Sequence, residues 1–274
     1  MREIHTIVEA GRTEKQYWQD IWHYRALLCI LSWRDVQVRY KQTALGVAWS
    51  ILRPLLIMGV FTLVFGRIAG FPSEGNAPYA LLVYAALLPW QFFSSALSEA
   101  GSSLLGNSNL ITKVYFPRIF IPAGSVMTAL ADFATACVLL CVLLPIFRFT
   151  PSWHLIFLPF FVLLVVFAAL GAGLLFAALN VRYRDFRYII PFIVQFGLYV
   201  SPVGFSSALA PESWRWVYYL NPMVGIIEGF RWCILGAPAL NPHSLLSSIT
   251  TTAALLWLGI AYFRKMEKNF ADEI

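Results

Sequence analysis

The sequence predicts an all-α membrane protein with six transmembrane helices, and two observations carry this prediction. Hydrophobic residues make up 59% of the 274 residues and charged residues only 12%, whereas soluble domains contain roughly 45–50% and 25%. The apolar residues are also grouped in runs of about 20, the length that a helix needs to cross a bilayer. A mean hydropathy of +0.69 agrees with both observations. No soluble domain of this size could bury so much apolar surface.

Six apolar runs are long enough to span the membrane. They lie at about 48–69, 79–100, 119–147, 154–179, 188–208 and 244–263. The third run is longer than the bilayer requires, which predicts a tilted helix or one that extends into the headgroup region. Pro89, Pro159, Pro191 and Pro202 fall inside the runs, where bilayer helices tolerate proline if neighbours satisfy the freed carbonyl groups. Several kinked helices favour a packed bundle.

The basic residues indicate the orientation of these runs. All but four of the 20 lysines and arginines fall on one side of the predicted membrane, the exceptions being Arg67, Arg148, Arg215 and Arg231. Because lysine and arginine accumulate in cytoplasmic segments, both termini are predicted to be cytoplasmic. The charged first residues also lack the apolar core of a signal peptide. The pI near 9.2 therefore reflects membrane topology and does not indicate a nucleic-acid partner.

The chain divides into three parts around these spans. Residues 1–47 form a cytoplasmic segment, 48–263 the six-helix transmembrane domain, and 264–274 a cytoplasmic tail. Within the first part, apolar residues recur at helical spacing among charges over 15–44, where the longest uncharged stretch is too short to cross a membrane. This pattern predicts an amphipathic helix at the membrane interface, in contact with lipid headgroups.

The cytoplasmic turn after the second span is too apolar for a plain connector. It places Leu110, Ile111, Val114, Tyr115 and Phe116 outside the bilayer. Ser108 and Asn109 can cap a short helix, and Pro117 ends it. The pattern predicts an amphipathic helix over about 107–117 that buries its apolar face against a protein partner. A helix lying on lipid is the alternative.

The outer stretch 209–243 is too long for a turn. It opens with aromatic residues that include Trp214 and Tyr218, breaks at Asn221-Pro222, and continues with a largely apolar segment over 223–236. Fourteen residues are too few to span and suit a re-entrant or interfacial helix. Glu228 and Arg231 can share a face of this helix and form an ion pair. The alternative is a helical hairpin on the outer leaflet.

Three further groups of residues are candidates for a role in transport. Asp132 lies near mid-bilayer in the third run, where a hydrogen-bonding or ion-pairing role is favoured over proton coupling. Basic residues at the cytoplasmic mouths of spans 1 and 5 could bind a lipid pyrophosphate, although the positive-inside bias explains them as well: Arg39, Lys41, Arg53, Arg182 and Arg184. Aromatic residues within spans could line a sugar path, although membrane belts and helix packing use the same types: Phe61, Phe65, Tyr84, Trp90, Phe92, Phe93 and Tyr199.

No catalytic or metal-binding arrangement is visible in the sequence. The four histidines are scattered, the four cysteines form no CxxC pair, and no GxSxG or HExxH motif occurs. A membrane glycosyltransferase is therefore disfavoured. A secondary transporter would need more ionisable groups inside the membrane and often repeated halves. The sequence also contains no GxxxxGK[ST] loop, so a nucleotide would have to be hydrolysed by a separate subunit.

Five blocks of sequence resemble the permeases of type-2 ABC exporters, more narrowly the polysaccharide-export branch that includes O-antigen and teichoic-acid exporters. The blocks are RDVQVRYKQTALGVAWSILRPL at 34–55, LPWQFF at 88–93, GNSNLITKVYFPR at 106–118, NVRYRDFR at 180–187 and NPMVGIIEGFR at 221–231. Each block alone is weakly specific, but together they cover nearly the whole chain.

The resemblance implies a homodimer of six-span subunits in the bacterial cytoplasmic membrane, each joined to a separate ATPase subunit that binds ATP and Mg. The cargo would be a polyprenyl-pyrophosphate-linked polysaccharide. Alternative cargoes are another lipid-linked glycan, such as capsule or teichoic acid, and a small hydrophobic compound. An alternative type of protein is an ion-coupled lipid-sugar flippase. The turn at 107–117 would couple to the ATPase through Asn109, Leu110, Ile111, Lys113, Val114, Tyr115 and Phe116. Helices at 211–236 would gate the outer end through Trp214, Tyr218, Glu228 and Arg231.

Overall fold

The structure is a computed structural model that describes residues 14–41, 46–114, 116–209, 211–236 and 239–270. These ranges contain helices and no strand. By length and composition, five helical stretches within them could cross a membrane: Ile51–Ile68, Tyr79–Gly106, Phe120–Ile146, Trp153–Arg182 and Pro242–Met266. They confirm the prediction of an all-helical membrane fold.

Eleven α-helices are assigned in the described ranges. They are α1 (Glu14–His23), α2 (Arg25–Lys41), α3 (Gly46–Phe61), α4 (Tyr79–Gly106), α5 (Ser108–Lys113), α6 (Phe120–Ile146), α7 (Leu158–Arg182), α8 (Phe186–Val200), α9 (Arg215–Tyr218), α10 (Pro222–Leu235) and α11 (Pro242–Met266). The helix α3 continues as a π-helical turn over Thr62–Ile68, and a 3₁₀ turn over Trp153–Phe157 precedes α7. Following the predicted orientation, we call the end of the bundle that carries α5 the inner end and the end that carries α10 the outer end.

Helix α4 lies at the centre of the bundle. In its most apolar 18-residue stretch 78% of the residues are buried, whereas the corresponding stretches of the other four spanning segments have at most 39% buried. Its neighbours α3, α6, α7, α8 and α10 surround it. Tyr84 of α4 is fully buried, and its hydroxyl donates a hydrogen bond to the carbonyl oxygen of Ala136 in α6 at 2.8 Å. The outer half of α4, residues 79–90, carries no charged residue and is enclosed on all sides in this way.

Helix α8 is shorter than the sequence predicts. The predicted span over 188–208 ends as a helix at Val200, and 15 residues rise only about 22 Å, which is less than a bilayer core of about 30 Å. The chain turns at Ser201, and Pro202 follows, which has no amide hydrogen to continue the helix. Residues 201–204 are nevertheless buried, because side chains of other elements hold this segment.

The amino-terminal segment forms two helices that meet at Tyr24. Helix α2 packs along α6 and buries Leu31 and Ser32 against it. Its other side carries exposed apolar residues, with Trp33 exposed by 63% and Ile30 by the same fraction. One face of the predicted amphipathic segment is thus covered by the protein, and the opposite face is free for lipid.

The crossing of α7 and α11 depends on two glycines. A Cβ atom at Gly171 would lie 2.6 Å from the Cα atom of Leu256, and a Cβ atom at Gly259 would overlap the carbonyl oxygen of Gly171. Backbone atoms cannot move aside as a flexible side chain can, so only glycine fits at this approach. Small residues at helix crossings are common in membrane bundles for the same reason.

We expect Gly259→Ala to destabilise the folded subunit by about 1–3 kcal/mol, because the added methyl group forces α7 and α11 apart. Thermal unfolding of the purified subunit in detergent measures the effect. Gly59→Ala is the matched control, since a Cβ atom there meets nothing within 4 Å. Equal melting temperatures for the two variants would contradict the close crossing.

Candidate functional site

Four polar side chains from three helices meet in the inner half of the bundle, and we call them the inner charge cluster: Arg39, Tyr40, Glu99 and Asp132. Arg39 lies near the end of α2, which α6 supports along its length. Its Nη2 atom lies 2.5 Å from Oε2 of Glu99 in α4. Its Nη1 atom donates to Oδ2 of Asp132 in α6, and the Tyr40 hydroxyl donates to the other oxygen of the same carboxylate.

Pairing explains how these charges can lie in an apolar bundle. The side chains of Arg39 and Asp132 are 30% and 31% exposed, and an isolated ion at such a position is costly unless a partner compensates it. Burial lowers the pKa of Arg39, but its hydrogen bonds and ion pairs with Glu99 and Asp132 outweigh this and raise it overall. Burial, reinforced by the hydrogen bond to Asp132, raises the pKa of Tyr40 to about 12. Asp132 therefore has the ion-pairing role favoured from the sequence.

A cavity of about 210 Å³ adjoins the inner charge cluster. It lies between α3, α4 and α6, and Arg53, Gln91, Ser94 and Ser95 contribute polar groups to its wall. Within the described ranges Arg53 forms no ion pair, and the Nε2 atom of Gln91 has no hydrogen-bond partner. The cavity thus offers a cation and an amide donor beside an apolar wall.

The five basic residues predicted to bind pyrophosphate do not form one site. Arg39 and Arg53 line the cavity, but Arg39 is already bound by two carboxylates. Arg182 lies instead beside α11, with its Nη1 atom 3.8 Å from Sδ of Met266. Lys41 and Arg184 are exposed. The sequence could not distinguish a cation with carboxylate partners from one without, because the partners lie far along the chain.

Most of the aromatic residues predicted to line a sugar path belong to the core of the subunit. Tyr84, Trp90, Phe92 and Phe61 are exposed by 8% or less. Phe65 and Phe93 are half-buried and pack against the same core. The structure therefore contradicts a wall made of these six rings. Only Tyr199 is well exposed, by 61%.

The sequence analysis missed an aromatic stripe along α8. Tyr188, Phe192, Phe196 and Tyr199 are each more than half exposed, and we call these four residues the α8 stripe. The rings of Phe192 and Phe196 stack with centroids 5.8 Å apart and an angle of 8° between them. The spacing of three and four residues places all four on one helix face, and this spacing was the available signal in the sequence.

The turn at 107–117 buries two of its apolar side chains and exposes a mostly polar surface. Ile111 and Phe116 are each 4% exposed and pack with residues of α2, α6 and α11. Leu110 packs against the same cluster, whereas Asn109, Lys113 and Val114 are exposed. Tyr115 lies outside the described residues. The expectation that Ile111 and Phe116 contact a partner is therefore wrong, because this chain's own helices cover them, whereas for the exposed Val114 the expectation stays a prediction.

At the outer end, Arg231 of α10 is only 2% exposed and holds the broken end of α8. Its Nη2 and Nη1 atoms donate to the carbonyl oxygens of Val203 and Phe205, each at 3.0 Å, and Nε donates to that of Leu82 at 3.3 Å. Its nearest carboxylate is Glu74, at 3.7 Å. The predicted ion pair between Arg231 and Glu228 is therefore not formed.

Glu228 has other partners. Its two carboxylate oxygens accept hydrogen bonds from the hydroxyls of Ser207 and Ser244. Together with Arg231 and Glu74 it lines an outer cavity of about 250 Å³. Of the other two predicted gate residues, Trp214 is 67% exposed and Tyr218 is half-buried. The outer segment is thus a folded layer fixed by polar contacts, as a re-entrant segment requires.

Comparison with known proteins connects this architecture to a transporter family. A model of the family described as ABC-2 type transporter matches residues 26–235. An O-antigen export system permease protein of Myxococcus xanthus, RfbA, is 29% identical over 259 residues, which covers 93% of this chain and 98% of the relative. An RfbA of Klebsiella pneumoniae is 27% identical, covering 90% and 94%. The polysialic acid transport protein KpsM of Escherichia coli is 21% identical, covering 86% and 91%.

A bundle of apolar helices that are long enough to cross a bilayer defines a multi-pass membrane protein. The family match extends from α2 to the end of α10 and so includes the inner charge cluster, the turn at 107–117 and the outer segment. The chain belongs to the ABC-2 type transporter family, and it is a multi-pass permease of the bacterial inner membrane.

We expect Arg39→Gln to destabilise the subunit by about 1–3 kcal/mol, because Glu99 and Asp132 then face each other without a cation. This destabilisation is smaller than that expected when a fully buried ion pair is broken, because the cluster is about one-third exposed and solvent screens its charges. Asp132→Asn should have a smaller effect, because the Arg39–Glu99 pair and an acceptor for Tyr40 remain.

Unfolding of the purified subunit measures both changes. Asp35→Asn is the control, because Asp35 pairs with Arg34 on the surface, where the two side chains are 36% and 49% exposed. A loss for Arg39→Gln no larger than that of this control would show that the inner charge cluster does not stabilise the fold.

Proposed function

We propose that this protein is the membrane-spanning subunit of an ATP-driven exporter that moves a polyprenyl-pyrophosphate-linked polysaccharide of the O-antigen kind across the inner membrane. Family membership and the names of the relatives that match most of the chain support the cargo class. The chain contains no phosphate-binding loop for ATP, so a separate ATPase subunit would bind ATP and Mg. The subunit itself would be a transporter and not an enzyme.

The observation that carries this proposal is the α8 stripe. Sugar rings present C–H faces that pack on aromatic rings without requiring one pattern of hydroxyl groups, so a row of exposed rings suits a polymer that must slide. Phe192 and Phe196 lie on a helix that is too short to span alone and whose main contacts, among the described residues, are with α4 and α7. In a homodimer, two such helices facing each other would enclose a path between the subunits.

The inner cavity suits the head of the lipid carrier. Arg53 supplies a guanidinium that could bind a pyrophosphate through charge-assisted hydrogen bonds. Gln91, Ser94 and Ser95 could bind the first sugar. In this proposal Arg39 does not bind the head directly, because Glu99 and Asp132 occupy it; it holds the wall of the cavity in place.

The ATPase would dock on the exposed polar side of the turn at 107–117. Asn109, Thr112 and Lys113 form this surface, and the apolar Val114 is exposed beside them. The buried side chains Ile111 and Phe116 then transmit movement to α2, α6 and α11, with which they pack. The apolar side thus acts inside the permease, and the polar side acts towards the partner.

Lys113→Glu tests the docking surface. We expect it to weaken binding of the ATPase subunit about fivefold, which corresponds to ~1 kcal/mol for an exposed charge contact. Co-purification of the tagged ATPase with the permease measures the change. Arg34→Glu reverses a charge on α2 instead and serves as the control. Unchanged co-purification for Lys113→Glu would place the ATPase elsewhere.

The double variant Phe192→Ala with Phe196→Ala tests the path. We expect export to slow by about tenfold, which corresponds to the loss of ~1.4 kcal/mol of aromatic contact in the transport step. Surface polysaccharide in a strain whose own permease is replaced reports export, and membrane blotting reports expression. Phe167→Ala removes a similarly exposed ring from α7 and is the matched control. Full export by the double variant would refute the α8 stripe as the path.

A capsule-type glycan is the second candidate cargo. The relative named polysialic acid transport protein KpsM matches 86% of the chain, which supports a second polymer class as a candidate cargo. Expression of this permease with its ATPase in strains that assemble either O-antigen or capsular polymer, followed by detection of each polymer at the cell surface, distinguishes the two.

A further inference from the structure

The inner end of α11 is fastened to the segment that follows α5. The backbone N–H of Arg118 donates to Oε1 of Glu267 at 2.9 Å, and its Nη1 atom donates to the backbone carbonyl oxygen of Glu267 at 2.5 Å. Glu267 is the first residue after α11, and Arg118 lies between the turn at 107–117 and α6. Both the backbone and the side chain of one residue therefore hold the end of the last span.

Packing supports these two hydrogen bonds. Phe263 and Phe270 flank Glu267, are fully buried, and meet edge to face with ring centroids 5.2 Å apart. They belong to the same buried cluster as Ile111 and Phe116 of the turn. A displacement of the turn cannot leave this end of α11 in place without opening a void in a closely packed core.

The outer end of the same helix is bound to α10. The hydroxyl of Ser244 donates to the Glu228 carboxylate, and Ser248 accepts the backbone N–H of Gly225 at 3.0 Å. Between these ends α11 has 25 residues, and its only proline is at the first position. A helix of this length reaches about 37 Å without a proline kink, so it can move as one rod, and the close crossing at Gly171 and Gly259 requires α7 to move with it.

We infer that Glu267 is a positioning residue, and that its contact with Arg118 makes α11 the element through which movement of the turn at 107–117 reaches α10 at the outer end. This inference rests on the proposed ATP-driven export, because the ATPase supplies the movement. The turn lies at the inner end of α11 and α10 lies at its outer end, so α11 connects the two. Nothing in it requires Glu267 to touch the cargo.

The variants are chosen by whether they keep the side-chain oxygen that accepts the Arg118 N–H. Burial raises the pKa of Glu267, while the hydrogen bond from the Arg118 backbone opposes the rise. The contact itself needs an acceptor oxygen at this position, because the Arg118 backbone N–H donates to it. Glu267→Gln keeps an oxygen for the Arg118 N–H, whereas Glu267→Ala removes it. Lys268→Ala is the control, since Lys268 is the exposed neighbour.

The experiment uses the full complex of permease and ATPase in membranes. A cysteine is introduced as Leu220→Cys, next to α10 and 55% exposed, in a variant without Cys29 and Cys141. A membrane-impermeant maleimide added from the outer side reports its accessibility with and without ATP. Glycan exported per ATP hydrolysed is measured in parallel.

We expect Glu267→Ala to abolish the ATP-dependent change in labelling and to lower export per ATP about fivefold or more, the lower end of typical coupling between sites. ATPase binding should be unchanged, and Glu267→Gln should behave like the unaltered complex. A Glu267→Ala complex that labels and exports normally overturns the inference. Should Glu267→Ala fail to assemble, Arg118→Lys, which loses only the guanidinium bond, gives the decisive measurement. An unaltered complex without ATP-dependent export would instead overturn the proposed function.

Discussion

Polar groups inside this bundle depend on protein partners, because the surrounding hydrocarbon offers no hydrogen bonds. Two arginines show how this constraint organises the fold. Arg39 joins α2 to α4 and α6 through Glu99 and Asp132. Arg231 joins α10 to the broken end of α8 and to α4 through three carbonyl oxygens. Each arginine lies where the helical pattern is interrupted or where a non-spanning helix has to be attached. Both arginines contact the central helix α4, Arg39 through Glu99 in the inner half and Arg231 through the Leu82 carbonyl oxygen in the outer half.

The same constraint explains why the outer segment can be irregular. A helix that stops at Val200 leaves carbonyl groups without helical partners. The carbonyl groups of Val203, Gly204 and Phe205, which follow it, would also be costly to bury without a hydrogen-bond donor. Arg231 and the Tyr79 hydroxyl donate to them, and Asn221 donates to the Ser201 hydroxyl. The segment is thus held by elements on both sides. An outer layer made in this way can form a boundary of the path without being a transmembrane helix.

Two buried clusters lie in different parts of the bundle. The larger cluster surrounds α4 and contains most of the aromatic residues that the sequence suggested for the cargo path. The smaller one joins the turn at 107–117 to α2, α6 and the end of α11. Under the proposed function, movement at the inner end would be received by several helices at once. Under the proposed function, the rings left for the cargo are those on α8, where Phe192 and Phe196 are exposed.

Sequence alone determined the class of protein, the approximate position of five of the six predicted spans, the short helix at the inner turn and the irregular outer segment. These follow from apolar run length and from proline and charge placement, which are local properties of the chain. It also placed Asp132 correctly as a paired carboxylate. It could not tell that Trp90 and Phe92 face the core whereas Phe192 and Phe196 face outwards, because an aromatic residue in a spanning helix has the same local pattern in either position.

Only the tertiary structure decided which charges meet. Arg39 finds Glu99 and Asp132 across separations of 60 and 93 residues, and Arg118 finds Glu267 across 149. Nothing in the spacing of these residues indicates such pairs, since the helices that carry them are brought together by packing. The same packing buried Ile111 and Phe116, which the sequence assigned to a partner. An apolar face predicts that something will cover it, but whether the cover is another chain or the same one depends on how the helices are arranged.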